Sequence, residues 1–126
     1  MIIEMLGRKE NPGVIMLNGS FTTGYGLRRI ADRLSDRYYI LLPTYDGHHK
    51  SGGVFTTRAG QAQKIIEYLH REDIGRIALI QGVSMGAEIG LALASMFCRT
   101  DIRVDRFLFD GGLFFAFPPG FAQSCG

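Results

Sequence analysis

Four short strand-like runs, each set off from the next by a segment with helical spacing, leave this chain very few architectures. The runs lie at residues 14–17, 38–42, 77–80 and 104–109. Val14-Ile15-Met16-Leu17 is wholly apolar and bounded by Pro12-Gly13 and Asn18-Gly19, the pattern of a strand buried on both faces. Between the runs, Leu27, Ile30, Ala31 and Leu34 form one helical stripe, and Ala62, Ile65, Ile66 and Leu69 form another. A third helix is expected over residues 87–97, with small residues Gly86, Gly90 and Ala94 recurring every fourth position. Strand and helix in alternation imply a mostly parallel sheet covered on both faces, a three-layer α/β sandwich. Residues 1–6 add a candidate antiparallel edge strand.

Composition excludes several classes. A chain of 126 residues reads as one domain over 1–126, and 46 % apolar against 21 % charged residues is globular rather than disordered. The net charge of +2 comes from scattered basic residues, with no cluster of the kind that binds nucleic acid. No basic segment followed by an apolar stretch opens the chain, and the apolar stretch 107–122 is broken by Asp110, three glycines and two prolines. A membrane partner is therefore not expected. Cys98 and Cys125 are too few for a disulfide framework or a zinc site, and they read as two reduced thiols in a cytoplasmic protein. No metal and no organic cofactor is implied.

The segment that carries chemistry is Gly82-Val83-Ser84-Met85-Gly86, G-x-S-x-G between a strand and a helix. A serine on so sharp a strand-to-helix turn is held under backbone strain, and side chains at the flanking positions would collide with neighbouring backbone. Such a turn projects the hydroxyl beyond the strands' carboxyl ends, where open α/β sheets bind ligands. The helix behind it supplies unpaired N–H groups and the positive end of its dipole. Asn18-Gly19-Ser20-Phe21 leaves the first buried strand, and in a doubly wound sheet it would stand beside this turn. Taken alone it suits a plain strand-ending turn equally well.

In the order strand, Asn18-Gly19-Ser20, helix, strand, Tyr45-Asp46-Gly47-His48-His49-Lys50-Ser51-Gly52, helix, strand, Gly-Val-Ser-Met-Gly, the sequence resembles the front half of an α/β hydrolase. The likeness runs from about Val14 to Asp110. It implies an α/β-hydrolase sheet, incomplete here, with Ser84 as nucleophile and the backbone N–H groups of Met85 and Ser20 as oxyanion hole, Phe21 being the fallback for the second donor. It implies acyl transfer to water from a small-molecule ester, thioester or small amide through an acyl-Ser84 intermediate. Asn18 departs from the histidine usual in the family before Gly19.

A larger departure concerns the base. The family order is serine, acid, histidine, yet His48, His49 and His70 all precede Ser84. A serine hydroxyl without a base is a poor nucleophile. Three readings stand: a piece of a longer hydrolase, which the sequence favours; a short relative that binds without catalysis; or His48 or His49 standing in. Asp110 is the candidate acid, since it ends the fourth run on the same sheet edge as Ser84; capping the Gly111-Gly112 turn is its alternative role. Asp101 and Asp105 fall at the opposite edge, Glu88 in the first turn of the helix, and His70 near a helix end.

Six of the nine phenylalanines fall at 107, 109, 114, 115, 117 and 121. A fourth strand with no further neighbour would be an exposed apolar edge, so self-association through it is expected. Dinucleotide and P-loop sites are not supported. Gly82, Gly86 and Gly90 have the wrong spacing for G-x-G-x-x-G, and G-K-[ST] is absent. The rival to a hydrolase is a non-catalytic binding protein on the same fold.

Overall fold

In the computed structural model, the described residues are 1–17, 28–45, 57–83 and 85–110. They form β1 (Ile2–Leu6), β2 (Gly13–Leu17), α1 (Arg28–Leu34), β3 (Tyr39–Thr44), α2 (Arg58–Arg71), β4 (Arg76–Val83), α3 (Met85–Phe97) and β5 (Arg103–Asp110). All five strands join one sheet in the order β1-β3-β2-β4-β5. The β2–β3, β2–β4 and β4–β5 pairs are parallel, while β1 runs antiparallel to β3. The expected edge strand at residues 1–6 and all four strand-like runs are thus present.

Burial explains why the central runs carry no alternation. Every residue of β2 is buried, as are the first five of β3, because apolar groups cover both faces of these two strands. One face carries Ile15, Leu17, Leu41, Ile77 and Ile80 beneath α2 and α3, which contribute Ala62, Ile65, Leu69, Ile89, Leu93 and Phe97. The other face packs Val14, Met16, Ile40 and Leu42 around Ala31 of α1. The three-layer sandwich expected from the alternation is therefore the architecture observed.

Local chemistry fixes the helix ends. Thr57 caps α2 by accepting the Gly60 N–H through Oγ1 at 2.8 Å. His70 and Arg71 in its last turn complement the negative end of the helix dipole. Two expectations are corrected. Ile30 lies on the predicted apolar stripe but is 53 % exposed, because α1 is seven residues long and buries only Ala31. Cys98 is disulfide-bonded rather than a reduced thiol; the other cysteine of the sequence, Cys125, lies outside the described residues.

Candidate active site

The strand order reverses between β2 and β4: from β2 the chain first crosses to β3 on one side, then returns to β4 on the other. At such a switch point the helices diverge to opposite faces and leave a crevice at the strands' carboxyl ends. The G-x-S-x-G segment lies there. β4 ends at Val83 and α3 begins at Met85, so a single position joins strand to helix.

The turn is as tight as its glycine requires. A Cβ built on Gly82 would lie 2.6 Å from the Gly86 carbonyl oxygen, 2.7 Å from its carbon and 2.9 Å from the Ala87 nitrogen. All three are backbone atoms of α3, so no side-chain adjustment relieves the clash. Register brings the neighbouring strand ends alongside. Leu17, the last residue of β2, pairs with Gly82, and residue 110, the last of β5, pairs with Val83. The chain that leaves β2 therefore starts beside the elbow.

Of the residues singled out from sequence, Ser84, Ser20, Phe21, His48 and His49 lie outside the described residues. Met85 is described: it opens α3, its side chain is buried in the main core, and its backbone N–H belongs to the first turn, where helix donors have no intrahelical acceptor. Asp110 is placed by its backbone, at the same sheet edge as the elbow.

The remaining acidic candidates are engaged elsewhere. Asp101 pairs with His70 at 3.2 Å and Asp105 with Arg76 at 2.9 Å, both at the strands' amino ends, as expected from sequence. Glu88 forms an ion pair with Arg58. That pair ties the first turn of α3 to the first turn of α2 on the elbow's side of the sheet. Arg58 escaped sequence reasoning because the two residues are 30 positions apart and no local pattern links them.

Two further features describe the surroundings. Tyr45, directly after β3, is fully buried, and burial pushes its phenol well above the usual range. Gln81, three positions before residue 84, holds a buried Oε1 that meets no donor among the described residues. A cleft of about 500 Å³ lies at the opposite edge, lined by Asn11, Pro12, Tyr38, Arg76 and Asp105 near the strands' amino ends. Among the described residues no cluster of His, Cys, Asp or Glu is arranged to hold a metal ion, and no helix is long and apolar enough to cross a membrane.

A mostly parallel sheet with an antiparallel first strand, a reversal between β2 and β4, and a one-residue strand-to-helix turn at that reversal together define the α/β-hydrolase fold. The chain has that fold, with an incomplete sheet. A protein from Desulfitobacterium hafniense assigned to the α/β-hydrolase family superposes with a TM-score of 0.79 at 27 % identity, over 88 % of this chain and 44 % of its own. An esterase from a marine microorganism gives 0.74 at 18 % identity, over 95 % and 46 %. A hydrolase from Pseudomonas aeruginosa gives 0.73 at 20 % identity, over 90 % and 43 %. The chain thus spans less than half the length of each. No protein-family model and no curated protein matches it.

Proposed function

We propose that this chain carries the nucleophile-bearing part of a serine hydrolase, with an ester, thioester or small amide as substrate. The reading rests chiefly on one observation. A single position separates β4 from α3 at the sheet's switch point, with Gly82 pressed against the backbone of the helix's first turn. The residue at that position is Ser84.

In this reading Ser84 Oγ attacks the substrate's acyl carbon, and its proton passes to a base as the bond forms. The carbonyl oxygen becomes an oxyanion, which the N–H groups of Met85 and Ser20 stabilise, with Phe21 in place of Ser20 as the variant arrangement. Collapse expels the alcohol, thiol or amine and leaves acyl-Ser84, which water then hydrolyses. Asp110 serves as the acid that orients the base.

No histidine follows Ser84 in the 126 residues. With the oxyanion hole and binding alone, catalysis of roughly 10³–10⁴-fold over water would remain. Weak turnover is accordingly the expected property of this chain by itself. The same observation favours a second reading, a binding protein that uses the crevice without chemistry.

A fluorophosphonate probe separates the two. Peptide mapping by mass spectrometry is expected to find the adduct on Ser84, and Ser84→Ala is expected to abolish it. A wild-type chain left unmodified at Ser84 under prolonged exposure, while still binding a small ester, would sink the hydrolase reading and leave the binding protein.

A further inference from the structure

We propose that Arg58 cancels the charge of Glu88 beside the oxyanion, so that this ion pair sets the rate of acyl transfer at Ser84. The inference rests on the hydrolase reading above. Arg58 touches no reacting atom and acts through Glu88, which makes it a positioning residue.

The place of Glu88 creates the need. It lies in the first turn of α3, three residues after Met85, whose N–H is assigned to the oxyanion. Three residues advance a helix by only about 4.5 Å, so the carboxylate stands within about 10 Å of a charge held at the Met85 N–H. A carboxylate is favourable at the start of a helix, where it meets the positive end of the dipole. The oxyanion draws on that same dipole end, and a negative neighbour at this range opposes its formation. The group that steadies α3 therefore works against the chemistry unless its charge is balanced.

Arg58 supplies the balance from a position that is otherwise unfavourable. It opens α2, whose first turn holds no acidic residue, so the cation sits at the positive end of that helix. Thr57 already caps α2 through the Gly60 N–H, so the helix start does not depend on Arg58. A local rule broken in this way points to a gain elsewhere. The gain is the contact with Glu88, in which the Arg58 Nε–H donates to Oε2 across 30 positions of sequence. Arg58 and Glu88 are the only ionisable residues in these two first turns.

Charge and mechanical support make opposite forecasts for the two partners. A pair that merely ties α2 to α3 is lost equally whichever side chain is removed, and removing both is no better. Charge compensation gives changes of opposite sign. The readout is the rate at which an uncharged fluorophosphonate labels Ser84. Arg58→Met leaves a bare carboxylate and should slow labelling by roughly three- to tenfold. Glu88→Gln leaves a bare cation and should quicken it by a similar factor. The two changes together should return the rate to within about twofold of the wild type, and Arg58→Lys should hold it there. In 1 M salt, where screening acts within about 3 Å, both single variants should move toward the wild type. Circular dichroism on each variant verifies folding.

A wild-type chain left unlabelled at Ser84 removes the hydrolase reading and this inference with it. A wild type that labels while both single variants are slowed, or a double variant as slow as Arg58→Met, overturns the role of the pair alone.

Discussion

At the scale of single residues, Gly82 and Gly90 make an instructive pair. Both sit where a neighbour leaves no room for a Cβ, but the neighbours differ in kind. At Gly82 the obstruction is backbone of α3; at Gly90 it is the ring of Phe109, which can turn. Gly82→Ala is therefore expected to cost about 3 kcal/mol or more, because strand or helix must move. Gly90→Ala should cost less, since the gain in helix propensity, about 1 kcal/mol, offsets part of the repacking. Urea titration of the two variants gives the comparison, and equal losses would show that the turn has slack. Gln81 makes a separate case. Its buried Oε1 meets no donor among the described residues, and a buried acceptor left so carries a penalty of about 1–3 kcal/mol. Gln81→Met keeps the shape and removes the acceptor, so an unchanged or raised Tm is expected in thermal melts. The glycine of the elbow could be read from the sequence, because G-x-S-x-G states its own steric demand. The burial of Gln81 Oε1 away from any described donor could not, since nothing in a sequence tells which donors a folded strand will meet.

Elements show the same division between local and distant information. β2 was legible because four apolar residues between turn signals have few alternatives to a strand buried on both sides. α2 and α3 were legible because their stripes lie over the sheet, and Ile65, Leu69, Ile89 and Leu93 are buried as their spacing demands. The stripe in α1 was misleading at Ile30. Periodicity tells which residues share a side of a helix, not how far the sheet extends beneath it. This difference predicts different costs of truncation. Leu93→Ala, in the fully buried seam between α3 and the sheet, should lose about 2–5 kcal/mol. Ile30→Ala, half in solvent, should lose well under 1 kcal/mol. Chemical denaturation of the pair decides, and a large loss at Ile30 would mean that α1 packs more tightly than its exposure shows. Arg58–Glu88 joins two helix starts that the sequence leaves unrelated. Being largely exposed, it should contribute less than about 1 kcal/mol, and added salt should reduce that further.

For the molecule as a whole, the buried phenols set the alkaline limit. Burial raises Tyr45 above the usual value of 10.0. Tyr68 is pushed up to about 12, chiefly by burial and then by Tyr39 and Glu72 beside it, and Tyr39 is raised by burial as well. The folded chain thus holds these protons more tightly than the unfolded one. Their contribution to stability is whole below the unfolded pKa near 10 and drains away as pH climbs through the folded values. Stability should therefore be flat with respect to these groups at neutral pH and fall steeply between about pH 10 and pH 12. Tyr45→Phe should flatten that fall, as thermal melts at increasing pH would reveal. A variant whose alkaline limb coincides with the wild type would show that Tyr45 does not govern it.

The ring of Phe109 seated over Gly90 also orders events in time. α3 follows the elbow directly in the chain, yet part of the surface that steadies it belongs to β5, which leaves the ribosome later. Until residue 109 has emerged, Gly90 faces an empty notch and the helix behind the serine has only the earlier strands to rest on. The elbow is thus written early in the chain and clamped late, so nascent chains halted before residue 103 should yield to proteases within α3 far sooner than those that have passed it.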